Sequence, residues 1–180
     1  MELSPAQRRN EHLGDRILKV NHAGEHGAIN IYAGQMLVAR WTAPSVLAEL
    51  AEFRSHEQHH RSIFEAELQR RGVRRCRSYV ACGVGGYVLG FLTALFGRGA
   101  IAATTVAIER VVLVHLKHQL SVLQGRDEAA VAAIRSIVDE EQEHHDRFAA
   151  HAQASPIWLK LLSPIVGVST ESVIWLGMRL

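Results

Sequence analysis

The feature that most constrains this chain is a pattern written twice: Glu25 then Glu57 with His60, and Glu109 then Glu141 with His144. In each copy 32 residues separate the two glutamates, and the second opens a Glu-x-x-His. Residues three apart on a helix project within about 60° of each other. Each Glu-x-x-His therefore offers a carboxylate and an imidazole from one helical face.

The residues around these groups are apolar at helical spacing. From Gly14 to Arg40, Leu18, Glu25, Ile29, Tyr32 and Met36 share a face; from Pro44 to Arg71 the stripe is Val46, Leu50, Phe53, Glu57, His60, Phe64 and Leu68. Shifting these numbers by 84 gives Ala102, Glu109, Leu113, Leu116 and Leu120 on a helix expected over Ala100–Gln124. On the next, expected over Asp127–Gln153, it gives Ala130, Ile134, Ile137, Glu141, His144 and Phe148. The chain thus reads as an internally duplicated helical hairpin. Gly72 and the Gly125-Arg126-Asp127 stretch suit the turns.

Turns near Thr42 and Arg126 place all four glutamates at one level, roughly 23–25 Å from their turns at 1.5 Å per residue. Four carboxylates in an apolar core repel one another, and each buried charge costs several kcal/mol unless it is neutralised. Two divalent metals supply that neutralisation. One Glu from each of two helices and a Glu-x-x-His from each of two others is the ligand scheme of ferritin-like di-iron bundles. Glu25, Glu57, His60, Glu109, Glu141 and His144 are accordingly the expected ligands, and the catalytic set. An oxygen and nitrogen donor set without thiolate suits iron or manganese, and oxygen chemistry selects iron. Candidates to touch the ligands or line a channel are His22, Tyr32, His115 and His151. The competing readings are another di-metal oxidase or catalase on the same bundle, an iron-storage protein, and a metal-free helical protein at a membrane surface.

Between the two copies lie Arg70, Arg71, Arg74, Arg75 and Arg77, then a charge-free run from Tyr79 to Phe96. As a helix that run is about 27 Å long, close to a bilayer core. A single span there would put the two halves of the repeat on opposite sides of a membrane, where they cannot share a site. An interfacial or crossover helix is therefore expected, with the arginines meeting anionic headgroups. The segment after Ser155-Pro156, with Trp158 and Trp175, is read as a docking or interfacial helix interrupted at Ser163-Pro164. A formal charge of +2 gives no reason to expect nucleic acid as a partner. Cys76 and Cys82 lack a disulfide or zinc pattern and are read as free thiols in a reducing compartment. The first ten residues show no signal peptide. The expected organisation is one domain over residues 1–180, with 1–13 as a flexible N-terminus.

Four stretches carry a family resemblance: Val20 to Ala28 (VNHAGEHGA), Ile31 to Gln35 (IYAGQ), Thr105 to Glu109 (TVAIE) and Asp139 to Asp146 (DEEQEHHD). Together they resemble the 5-demethoxyubiquinone hydroxylase family of ubiquinone biosynthesis, over about residues 15–180. The resemblance implies an all-α, ferritin-like four-helix bundle with extra hydrophobic crossover and C-terminal helices, and the same six iron ligands. It further implies a monooxygenase that inserts one oxygen of O2 into the ring of a polyprenyl quinone precursor, with NADH as electron donor. The chain is expected peripherally on the cytoplasmic face of a bacterial inner membrane, with a homo-oligomer and other ubiquinone-biosynthesis proteins as expected partners. The sequence departs from the family pattern at Asn21, where Asp is usual, at His26, where Tyr is usual, and at Arg110, where a second Glu often follows the ligand.

Overall fold

The computed structural model describes residues 5–179, with side chains from residue 13 onward. The expected flexible N-terminus falls almost entirely outside the described side chains. The first helix opens at Pro5, ahead of the start suggested by the apolar pattern. The helices are α1 (Pro5–Thr42), α2 (Leu47–Arg70), α3 (Tyr79–Ala94), α4 (Arg98–Leu123), α5 (Glu128–Arg135), α6 (Val138–Gln153) and α7 (Pro156–Gly177), with a 3₁₀ turn at Pro44–Val46. Among the described residues there is no strand.

The expected stripes form the interior. Every apolar stripe residue is buried except Met36 and Leu120, which are half-buried against the same clusters. α1 pairs with α2, and α4 pairs with α5 and α6. One apolar cluster, including Val46, Leu50, Phe53, Ile101 and Phe148, fills one end of the bundle. A second, including Leu18, Phe64, Leu68, Leu123, Ile134 and Ile137, fills the other. The acidic residues of the repeat lie between them.

The bundle is fastened at its second end by Arg71, just past α2. Its guanidinium donates two 2.7 Å hydrogen bonds to Asp127 and further bonds to Asp15 and Glu67. Asp127 also caps α5 by accepting from the Ala130 amide at 3.1 Å. Gly14 lies so close that a side chain there would overlap the Asp127 carboxylate. Gly72 ends α2 with φ of 67°, the left-handed conformation expected of it.

Three features depart from the sequence reading. The helix expected over Asp127–Gln153 is broken at Ser136–Ile137, where the Ser136 hydroxyl donates to the Ala133 carbonyl and competes with the helical ladder. α7 runs unbroken through Pro164, so that proline does not interrupt it. The repeat is also larger than a hairpin: α3 packs along α1 and α7 packs along α4. The 84-residue shift carries Tyr79–Ala94 into residues 163–178, within and just beyond α7. Each unit is therefore a helical hairpin followed by an apolar helix laid on its first member.

α3 and α7 keep broad apolar faces outside. Val80, Val84, Val88 and Leu92 on α3, and Ile157, Leu161, Ile165, Val168 and Trp175 on α7, are exposed. By length and composition α4 and α7 are each able to cross a membrane; α4 is mostly buried as a core helix, whereas α7 is mostly exposed.

Candidate metal centre

The broken stripes converge as their spacing requires. Glu25 from α1, Glu57 and His60 from α2, Glu109 from α4, and Glu141 and His144 from α6 are all buried. Glu25, Glu57, His60 and Glu141 bring their donor atoms within 4.8 Å of one another, and so do Glu57, Glu109, Glu141 and His144. Glu57 and Glu141 belong to both groups, as two metal positions with shared ligands would require.

Both imidazoles turn Nδ1 inward. His60 Nδ1 lies 3.0 Å from Glu141 and 3.8 Å from Glu57; His144 Nδ1 lies 3.2 Å from Glu57 and 3.8 Å from Glu141. Although these are ion-pair distances, both Glu57 oxygens and His144 Nδ1 are buried without a well-directed hydrogen bond. Buried polar groups seldom lack partners. Convergent oxygen and nitrogen donors with unmet bonding capacity fit two divalent cations.

The electrostatics agree. Burial, reinforced by the charges of Glu57 and Glu141, pushes the Glu25 carboxyl well above the ordinary carboxylate range. Burial with the same two neighbours does so for Glu109. Burial opposes ionisation of Glu57 too, but His144 and His60 prevail and hold it below that range. His60, despite burial that favours the neutral ring, is raised to about 11 by Glu141 and Glu57. Without metal the cluster thus balances its charge by retaining protons, a task that divalent cations would take over.

A cavity of about 370 Å³ reaches the cluster, lined near it by Glu25, Glu57, Glu109 and Glu141. Its other walls are mainly apolar, with Ile31, Ile108, Val112 and Leu116 from α1 and α4, Leu89 from α3, and Val173 and Ile174 from α7. It lies between α3 and α7, the helices with exposed apolar faces. Among its polar lining is an amide pair one helical turn from Glu25: Asn21 donates to Gln119 at 2.8 Å and Gln119 donates back at 3.0 Å. An aspartate at position 21 would only accept, so the Asn21 departure supplies the second bond.

Of the four additional candidates, Tyr32 touches the site, its hydroxyl donating to Glu109 at 3.4 Å. His115 lines the cavity and bonds Glu171 of α7 at 2.8 Å. His22 is buried against Tyr79 with both ring nitrogens unpartnered, and burial lowers its pKa to about 4. His151 bonds Glu49 and Arg98 about 10 Å along α6 from His144, so it supports the bundle rather than the ligands. His26 stacks on Tyr79 with ring centroids 3.9 Å apart, and Arg110 is exposed.

Sequence reasoning missed two partners. Glu140 lies 2.8 Å from His60 Nε2, and His56 lies 3.1 Å from His144 Nε2. Each directly precedes a glutamate of the cluster, and the two positions are related by the 84-residue repeat. That correspondence was the available signal.

The family model described as "Ubiquinone biosynthesis protein COQ7" matches residues 12–177. A Homo sapiens protein named "NADPH-dependent 3-demethoxyubiquinone 3-hydroxylase, mitochondrial" is 36% identical over 171 residues, covering 92% of this chain and 77% of its own. The Dictyostelium discoideum protein of that name is 34% identical over 169 residues, covering 92% and 76%. A "3-demethoxyubiquinol 3-hydroxylase" from Rhodospirillum rubrum is 35% identical over 167 residues, covering 92% and 77%. The first two names give NADPH as the donor, where the resemblance implied NADH, and the Rhodospirillum rubrum name gives none. With a family model spanning nearly its whole length and hydroxylase relatives at this identity, the chain belongs to the COQ7 family of ubiquinone biosynthesis proteins.

Proposed function

We propose that this protein is an O2-dependent di-iron monooxygenase that hydroxylates the ring of a demethoxylated polyprenyl benzoquinone in ubiquinone biosynthesis. The observation that carries the reading is the paired Glu and Glu-x-x-His cluster at the inner end of an apolar cavity. The overall reaction balances with NADPH as the ultimate two-electron donor: one oxygen atom of O2 replaces a ring hydrogen as hydroxyl, and the other leaves as water.

When bound, the two irons supply the reductive activation of O2. The chain supplies the setting. Glu25 and His60 would hold one metal, Glu109 and His144 the other, and Glu57 and Glu141 are shared by both donor groups. The apolar walls exclude water from the reacting ring. Asn21 and Gln119 each keep an amide hydrogen beyond their mutual pair, so they provide a fixed polar contact for a ring oxygen.

Incubating iron-loaded protein with O2, NADPH and a demethoxylated quinone should yield a product heavier by one oxygen, labelled from ¹⁸O2. Two bound irons with no hydroxylated product would overturn the substrate assignment; failure to bind iron would overturn the centre itself.

The exposed faces of α3 and α7 support peripheral membrane docking, with the cavity between them receiving a lipid-soluble substrate. The arginine cluster contributes less than its count suggests. Arg70 and Arg71 pair with Glu67, and Arg75 lies over the Tyr79 ring, which leaves Arg74 and Arg77 as exposed cations for headgroups. In vesicle flotation, Leu92→Glu with Val168→Glu should reduce binding at least tenfold to neutral and anionic vesicles alike, since burying each apolar side chain contributes about 1.5–3 kcal/mol. Arg74→Glu with Arg77→Glu should weaken binding to anionic vesicles only, and high salt should erase the difference. Undiminished flotation of the first variant would exclude these faces as the docking surface.

A further inference from the structure

The six metal-binding side chains are symmetric under the repeat. The 84-residue shift exchanges Glu25 with Glu109, Glu57 with Glu141 and His60 with His144. A difference between the two metal positions must therefore come from residues that bond these side chains from outside. At two pairs of related positions the chain breaks its own symmetry.

The first pair is 56 and 140. With Nδ1 turned inward toward the metal, each ligand histidine carries its proton on Nε2 and donates it outward. His60 donates to the Glu140 carboxylate at 2.8 Å, whereas His144 donates to the Nδ1 of His56 at 3.1 Å. A carboxylate acceptor draws the proton more strongly than an imidazole, and leaves more electron density on the ligating nitrogen.

The second pair is 32 and 116. Tyr32 donates its hydroxyl hydrogen to Glu109 and draws charge away from that ligand. The related residue is Leu116, a hydrocarbon that offers Glu25 no hydrogen bond. Both differences act in the same sense. The Glu25 and His60 position has the more electron-rich donors, and the Glu109 and His144 position the poorer ones.

We propose that Glu140, His56 and Tyr32 make the two metal positions unequal, so that the ion held by Glu25 and His60 binds more tightly and is oxidised first. The inference rests on the two-metal reading above and adds a direction to it. Glu140, His56 and Tyr32 act here as positioning residues. The redox step is the loss of one electron from ferrous iron at the Glu25 and His60 position to an external one-electron oxidant, while the second iron stays ferrous.

The test is anaerobic titration of the metal-free full chain with ferrous iron, read calorimetrically. It is followed by Mössbauer spectroscopy of the ⁵⁷Fe-loaded protein before and after one equivalent of ferricyanide. Wild type should bind iron in two resolved steps and show two ferrous environments, of which one equivalent oxidises a single one. Glu140→Gln should weaken the tighter step about tenfold, within the roughly 10–100-fold usually tied to such outer partners. His56→Glu should instead strengthen the weaker step, and Tyr32→Phe should shift it the same way. All three substitutions narrow the gap, but from opposite sides, a signature that general loosening of the fold would not give. Helicity by circular dichroism checks that each variant folds.

A single binding step with equivalent irons in wild type would overturn the inference and leave the two-metal centre standing. So would equal weakening of both steps by Glu140→Gln and His56→Glu. A wild-type chain that binds no iron would overturn the two-metal reading itself.

Discussion

Glu141→Ala should abolish hydroxylation and bring the iron content below one ion per chain, while Glu109→Ala should retain one. The difference follows from geometry, since Glu141 belongs to both donor groups and Glu109 to one. Loss of a bridging ligand should cost more than the roughly 10–100-fold attached to outer partners, so activity should fall by more than about a hundredfold. Metal analysis with the hydroxylation assay checks both. Unchanged iron content in Glu141→Ala would remove the cluster as the metal centre.

Stability should respond in a related way. Ligand binding to the folded chain stabilises it, by about 4 kcal/mol when the free metal is a thousandfold above its dissociation constant. Glu141→Ala should lose that increment. The metal-free protein also has a predictable pH response. Glu25 and Glu109 have folded pKa values above their ordinary ones. A raised carboxyl contributes stability below the unfolded pKa and loses it as pH rises toward the folded value. On the two-metal reading, metal displaces those protons. The gap in denaturation midpoint between iron-loaded and metal-free wild type should therefore widen from about pH 5 to pH 8. A gap independent of pH would show that metal does not replace protons on these carboxyls.

The sequence was most informative where two periodicities coincided. Helical spacing placed Phe53, Glu57, His60 and Phe64 on one face, and the repeat placed Ile137, Glu141, His144 and Phe148 on its counterpart; all eight are buried. Apolar patterning could not place His56 and Glu140, because a polar residue beside a buried stripe ordinarily marks the solvent edge. Only the neighbouring hairpin turns them into partners of His144 and His60. His151 shows the opposite error. Its spacing from His144 put it on a suitable face, but distance along the helix carried it to Glu49 and Arg98. Angular position can be read from one helix, whereas neighbours depend on how several helices pack.

The same limit concealed the role of α3. Its charge-free composition marked a membrane-facing helix, yet its glycines set how it joins the bundle. Gly86 and Gly90 form a Gly-xxx-Gly pair, and side chains there would overlap the Gly27 and Ile31 carbonyls of α1; one at Gly34 would overlap the Tyr87 carbonyl of α3. Close helix approach accounts for Gly34, Gly86 and Gly90 despite a cost of about 1 kcal/mol each in an isolated helix.

Gly90→Leu should therefore force α3 away from α1, because the obstructing atoms are Ile31 backbone and cannot rotate aside. Overpacking of this kind costs about 3 kcal/mol, and for a chain of this size roughly 6–12 °C in melting temperature. Gly85 has open space beside it, so Gly85→Ala should hold or raise the melting temperature through helix propensity alone. Displacing α3 also removes one wall of the cavity while leaving every proposed metal ligand on α1, α2, α4 and α6. Folded Gly90→Leu protein should thus retain iron but turn over quinone poorly, with the loss chiefly in KM. Thermal melting, iron content and steady-state kinetics together check this sequence of effects. A melting temperature equal to wild type would show that α3 does not need the close approach that its glycines permit.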